Sequence, residues 1–264
     1  MAAIHIGMSG WRYAPWRGDF YPKGLVQKNE LKFASRAVSS IEINGSFYSL
    51  QKPELYAGWY DETPNGFVFS VKAPRYITHV LRLRDVEKPI ANFLASGVLA
   101  LKDKLGPMLW QFPPSFKFDP ERFETFLSLL PHDTAAALEM AKGCEPRMEG
   151  RSYLQIDRKR SLRHAVEIRN ESFVDPAFVA LLRKYKVALV VADTAGKWPY
   201  REDLTSDFVY IRLHGAEQLY TSGYTDDALD NWAQRITRWS NGGQPDDAHL
   251  ISSSKPPARK HRAV

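Results

Sequence analysis

The 264-residue chain predicts an α/β fold, a TIM-like (β/α)8 barrel with its eighth strand missing at the C-terminus. Three observations carry that expectation. Strand-like and helix-like segments alternate seven times, the pattern of parallel strands joined by crossover helices. The length suits a single eight-fold barrel, for which about 250 residues is usual. The strands also set polar or charged side chains opposite their apolar ones, on a face that an ordinary helix-covered sheet keeps apolar.

Ile4, Ile6 and Met8 alternate with His5, Gly7 and Ser9 in the first strand, which runs through Gly10 and Trp11 into an aromatic loop containing Tyr13, Trp16, Phe20 and Tyr21. Residues 29–37 read as a helix. In the second strand Ile41 and Ile43 oppose Glu42 and Asn44, and Phe47 and Tyr48 close it. Residues 53–60 are helical with Pro at a starting position, and a Thr63-Pro64-Asn65-Gly66 turn leads into the third strand, where Phe67, Phe69 and Val71 oppose Val68, Ser70 and Lys72. A helical unit over 86–105 precedes the fourth strand, 108–112, which Pro113-Pro114 ends. Helices follow over 120–130 and 135–142.

The fifth strand, Arg163-His164-Ala165-Val166-Glu167-Ile168-Arg169-Asn170, is the most informative stretch, because Glu167 and Arg169 share one face and Val166 and Ile168 the other. A helix over 178–185, a sixth strand over 188–193 and a seventh over 208–214 come next. Residues 226–239 form a last helix with Leu229, Trp232, Ile236 and Trp239 at helical spacing. Beyond it, Gly242-Gly243-Gln244-Pro245 and the Ser/Pro-rich, basic residues that follow have linker composition. The expected division is a barrel over 1–243 and a flexible basic tail over 244–264.

Hydrophobic residues make up 44% of the chain, enough for a full core. Cys144 is the single cysteine, so an intrachain disulfide and a multi-cysteine metal site are excluded, which fits a reducing compartment and makes the cytoplasm the expected location. No apolar run approaches the ~20 residues of a membrane span, so no membrane partner is expected. The net charge of +6 arises from 36 basic and 30 acidic residues that are interspersed. The densest basic stretch, 147–163 with Arg158, Lys159 and Arg160, reads as solvated loop before it reads as a nucleic-acid footprint, since no aromatic platform accompanies it.

In one parity frame, the face opposite the apolar residues carries His5, Ser9, Glu42, Asn44, Ser70, Lys72, Gln111, Glu167, Arg169, Asp193, Tyr210, Arg212 and His214. Rolled into a barrel, this stripe converges on the axis, with the later member of each pair near the C-terminal mouth where barrel enzymes do their chemistry. It reads either as a structural ion network or as a ligand site. On the second reading, Glu167, Asp193, His214 and Glu42 are the acid–base candidates. Ser9, Trp11, Asn44, Tyr48, Lys72, Gln111, Arg169 and Arg212 are the candidate binders of a small polar or anionic ligand. Glu42, Glu167, Asp193 and His214 have donors suited to Mg or Mn, yet no short-spaced ligand motif accompanies them, so no metal is assigned and the cofactor stays unknown. Gly7-Met8-Ser9-Gly10-Trp11 lacks the second glycine of a nucleophile elbow. Trp11, Tyr13, Trp16, Phe47, Tyr48 and Trp59 could stack on a sugar or base, or simply pack loops.

Several ordered stretches resemble the DUF72, or YecE-like, family. They are Gly7-Met8-Ser9-Gly10-Trp11 with Tyr13 and Trp16, Phe20-Tyr21-Pro22, Ile41-Glu42-Ile43-Asn44 with Phe47-Tyr48, and Thr63-Pro64. Further along come Phe67-Val68-Phe69-Ser70-Val71-Lys72, Gln111-Phe112-Pro113-Pro114-Ser115-Phe116, the fifth strand, Ala192-Asp193, and Tyr210-Ile211-Arg212-Leu213-His214-Gly215. The resemblance implies a TIM-like barrel and brings no catalytic residues with it. It also implies a last strand of the type V-Y-x-Y-F-x-N, and the chain ends where that strand should begin, which leaves the first and seventh strands with open edges. The functional expectation is acid–base chemistry on a small carbohydrate-like or phosphorylated substrate. The alternative is a nucleic-acid-binding or repair-associated protein.

Overall fold

Eight parallel strands pair in chain order and close into a barrel in the computed structural model, which describes residues 3–215, 223–241 and 247–252. They are β1 (Ala3–Ser9), β2 (Ser40–Ile43), β3 (Val68–Lys72), β4 (Leu105–Gln111), β5 (His164–Glu167), β6 (Ala188–Asp193), β7 (Phe208–Leu213) and β8 (Asp247–Ser252). The first seven stand where the alternation placed them. The ring that the sequence left one strand short is completed by β8, which lies inside the expected tail and pairs in parallel with β1 on one side and β7 on the other. Both edges expected to be open are therefore covered. A six-residue strand between Gly-Gly-Gln-Pro and a serine run offers little pattern, and its place follows from two waiting edges. The remainder of the expected tail, from residue 253, lies outside the described residues.

Helices fill the crossovers: α1 (Glu30–Ala37), α2 (Gly45–Tyr48), α3 (Pro53–Glu62), α4 (Glu87–Ala95), α5 (Pro120–Leu129), α6 (Thr134–Lys142), α7 (Pro176–Lys184) and α8 (Asp226–Asn241). Asp119, Asp133 and Asp175 start α5, α6 and α7 by accepting a hydrogen bond from a backbone N–H of the first turn, and Pro follows the cap in α5 and α7. Gly97 closes the α4 segment at φ +113°, where a Cβ would lie 2.6 Å from Pro53 Cα, so its bareness lets α3 approach. Among the described residues no helix is long and apolar enough to cross a membrane.

The apolar strand faces turn outward as expected. Ile41, Ile43, Phe69, Val71, Met108, Trp110 and Val166 join helix residues such as Ile90, Phe93, Phe126 and Leu182 in the main core. Val191, Val209, Ile211 and Leu213 pack on Trp232 and Ile236 of α8, each of which adds roughly 1.5–3 kcal/mol by burial. Two departures stand out. Ile4 and Ile6 on β1 are 45% and 55% exposed, and Leu229, expected on the buried stripe of α8, faces solvent. Inside the barrel, Leu109, Ala165, Ala188, Val190, Ala192, Phe208 and Tyr210 form a separate apolar plug below the mouth.

Candidate functional site

Strand register assembles the polar interior. Ser9 pairs with Glu42 and Glu42 with Ser70 across β1, β2 and β3, while Gln111 pairs with Glu167 across β4 and β5. In-register parallel neighbours point to the same side, so each strand delivers its polar residue inward beside the next. Arg212 of β7 reaches between the two carboxylates. Its Nε donates to Glu42 Oε2 at 3.0 Å and its Nη2 to Oε1 at 2.8 Å, a two-pronged grip, while Nη1 donates to Glu167 Oε2. Tyr210 donates to Glu42 Oε2 at 2.8 Å and is itself bonded to Ser70 Oγ at 2.7 Å. Ser9 donates to Glu42 Oε1 at 3.1 Å and accepts from Asn44 Nδ2 at 2.7 Å. Glu167 Oε1 accepts from Gln111 at 2.8 Å and from Arg169 Nε at 3.0 Å.

The charges follow from this wiring. Burial pushes the carboxyl of Glu42 up, but the positive charges of Arg212 and Lys72 and the bonds from Arg212 and Tyr210 outweigh it and hold the group below its ordinary range. Glu167 is likewise pushed up by burial and then driven well down by Arg212, Arg169, His214 and Lys72. Both stay ionised near neutrality. The His214 pKa falls to about 3 through burial and the charge of Arg212. Its Nε2 lies 3.1 Å from Arg212 Nη1 and 4.0 Å from Glu167 Oε1, so the neutral ring accepts from the guanidinium and the longer approach is no ion pair.

Lys72, the last residue of β3, is built differently. It is 8% exposed, its Nζ lies 4.2 Å from the centroid of the Phe47 ring, its backbone carbonyl accepts from Ser46 Oγ at 2.7 Å, and among the described residues its ammonium makes no hydrogen bond or ion pair. Burial and the charge of Arg212 lower its pKa to about 8 against the opposing pull of Glu42 and Glu167. Around it the loops at the C-terminal strand ends contribute Phe47 and Tyr48 from α2, His79 from a one-turn π-helix (Tyr76–Val80), and Trp198 from the β6–β7 loop. The guanidinium of Arg169 stacks 3.8 Å from the Trp198 centroid. The pKa of His79 drops to about 4 through burial and then the charges of Lys72 and Arg169, and its Nδ1 bonds Thr78 Oγ1 at 2.8 Å. Arg12, Arg75 and Lys197 are exposed on these loops.

Of the residues singled out from sequence, Ser9, Glu42, Asn44, Gln111, Glu167, Arg169, Arg212 and His214 meet in one network, and Lys72 shares its electrostatic field. Trp11 lines a neighbouring slot of about 280 Å³ with Tyr13, Asn44, Gln51 and Trp59. Tyr48 stands on the rim, 73% exposed. Asp193 is the exception. It follows Leu189 and Val191 on the outward face of β6, accepts from the Tyr224 hydroxyl at 3.0 Å, and lines a cavity of about 330 Å³ beside α8, while Ala192 takes the inward position. The wholly apolar run before Asp193 gave no parity signal.

The four donors considered for a divalent metal therefore do not converge. Arg212 occupies the space between Glu42 and Glu167, and no metal-ligand cluster forms among the described residues. His79 and Trp198 were missed because they lie in loops without periodicity, although both follow a strand's C-terminal end. A larger cavity of about 1250 Å³, lined among others by His5 of the polar stripe, His132, Arg163, Lys186 and Asp207, opens at the opposite end of the strands, away from the groups of the mouth. In the basic stretch, Lys159 pairs with Asp133 at 3.2 Å and Arg160 with Asp157.

A family model described as "Protein of unknown function DUF72" matches residues 5–261. The chain is similar to the UPF0759 protein YecE of Escherichia coli strain K12, 25% identical over 256 residues that cover 92% of this chain and 84% of the relative. It is also similar to the UPF0759 protein YunF of Bacillus subtilis strain 168, 32% identical over 121 residues, 43% of this chain and 41% of the relative. Among solved structures, a DUF72 family protein from Thermotoga maritima superposes with a TM-score of 0.76 at 23% identity, covering 96% of this chain and 92% of that one. That likeness establishes the shared fold.

Proposed function

The chain belongs to the DUF72 family, and for it we propose acid–base chemistry at the barrel mouth on a small, anionic, carbohydrate-like substrate such as a sugar phosphate. One observation carries the reading: a buried lysine at the mouth whose ammonium no protein acceptor among the described residues neutralises. An ammonium so largely removed from water gains from a ligand that completes its hydrogen bonds. An anionic group entering the mouth gains Lys72 and the nearby positive charge of Arg169, and it meets the exposed Arg12, Arg75 and Lys197 on the way. Tyr48, exposed on the rim, offers a flat face to a sugar ring.

In this reading the roles shift within the candidate set. Glu42 and Glu167 are fixed negative charges that hold Arg212 and set the field, because groups so firmly ionised do not supply protons at neutral pH. Lys72 is the group whose pKa lies near the working range. Arg169 orients the anion, and Ser9, Asn44 and Gln111 position the glutamates. Asp193 has no part at the mouth.

Calorimetric titration with phosphorylated aldoses and ketoses of three to six carbons tests the reading. Binding that weakens at least tenfold in both Lys72→Met and Arg169→Ala is the expected result. Failure of every such ligand to bind the wild-type protein ends it.

A further inference from the structure

We propose that Lys72 is a covalent nucleophile whose Nζ forms an imine with the carbonyl carbon of a small anionic aldehyde or ketone held at the barrel mouth. This rests on the reading of the mouth as a substrate site and narrows the substrate to a compound carrying a reactive carbonyl.

The argument begins with a second buried lysine. Lys104 is 3% exposed, and its ammonium donates to Tyr60 O, Thr63 O and Thr63 Oγ1, all within 3.1 Å. Three acceptors satisfy three protons, and such a lysine is a structural clamp. Lys72 is buried to a similar degree and has none of this among the described residues. Beside it lies the Phe47 ring, 4.2 Å from Nζ to centroid, which attracts a cation without accepting a strong hydrogen bond. The other cations of the mouth interior are bound as well, the buried Arg212 to two glutamates and the half-buried Arg169 to Glu167. Lys72 is thus the basic group there that is held in place and still has its nitrogen available, the condition an amine nucleophile requires. With its pKa at about 8, roughly a tenth of the group is free amine at pH 7.

The step balances without a co-reactant. The nitrogen lone pair adds to the carbonyl carbon while the carbonyl π pair moves onto oxygen. The two nitrogen protons pass in turn to that oxygen, which leaves as water, and a C=N bond remains with no change of oxidation state. His79, neutral and packed edge-on to the same Phe47 ring with centroids 5.1 Å apart, is a nearby relay for those protons. Protonation of the imine restores a positive charge where Lys72 now holds one, in the field of Glu42 and Glu167. That iminium withdraws electrons from the adjacent carbon, so proton abstraction there, or cleavage of the next bond, becomes accessible.

Incubation of the full chain with glyceraldehyde 3-phosphate and sodium cyanoborohydride, followed by peptide mapping, reads the step directly. An exposed lysine is almost wholly protonated at pH 7.5, and a pKa of about 8 raises the free-amine fraction roughly 200-fold. The adduct on Lys72 is therefore expected to exceed that on exposed Lys23 or Lys117 at least tenfold, to be suppressed by excess inorganic phosphate, and to vanish in Lys72→Arg. Labelling of Lys72 no faster than these surface lysines between pH 6 and 9 overturns the proposal. If sugar phosphates bind in a Lys72-dependent way while no adduct forms, the nucleophile falls and the binding reading stands. If none binds, the reading itself has failed.

Discussion

The Arg212 side of the barrel mouth satisfies its own charges by hydrogen bonds, and among the described residues the Lys72 ammonium does not. Arg212 spends its guanidinium on Glu42, Glu167 and His214, and each carboxylate receives further donors from Tyr210, Ser9, Gln111 and Arg169. Lys72, at the end of a strand in the same interior, has an aromatic face and no acceptor among the described residues. A ring of ionisable groups therefore combines two kinds of element, a satisfied lattice that shapes the barrel and an unsatisfied group that a ligand can complete. Convergence of charge alone does not distinguish them; saturation of donors and acceptors does.

The contrast is broken most severely by Arg212→Met, which leaves two buried carboxylates facing each other. A loss of about 3–5 kcal/mol in urea unfolding is expected, with Lys at this position recovering only part because it lacks the planar fork. Acid titration should act on the same side. Glu42 and Glu167 have folded pKa values below their unfolded ones, so their contribution is fully present above about pH 4.5 and is lost as pH falls through the folded values. Glu42→Gln should flatten that acid limb when unfolding is followed from pH 6 to pH 3.

Lys72→Met should have the opposite sign. The folded pKa of Lys72 lies below its unfolded value, so the native state is penalised below pH 8 and wild-type stability rises between about pH 8 and 10.5. Removing the charge should raise stability at pH 7 by about 1–3 kcal/mol and erase that alkaline rise, at the expense of ligand binding. Equal unfolding midpoints for wild type and variant at pH 7 would contradict this. The smallest expected effect is that of Tyr210→Phe, which removes one donor to Glu42 and costs about 1 kcal/mol.

Much of the site was legible because strands alternate. Glu42 between Ile41 and Ile43, Glu167 between Val166 and Ile168, and Arg212 between Ile211 and Leu213 each declare an inward face by contrast with their neighbours. Asp193 escaped that logic because Leu-Val-Val-Ala before it is apolar on both faces, and parity there was decided by packing against α8. His79 and Trp198 belong to connections whose positions come from the strands they follow.

By itself the sequence determined the barrel's first seven strands, their outward apolar faces and the inward stripe, since side-chain alternation is a property of each strand taken alone. Tertiary structure decided the rest: that β8 closes the ring, that Asp193 turns away, that Arg212 is saturated and that Lys72 is not. Each of these depends on which groups meet across strands distant in the chain, and a partner's presence or absence is a property of the assembled interior.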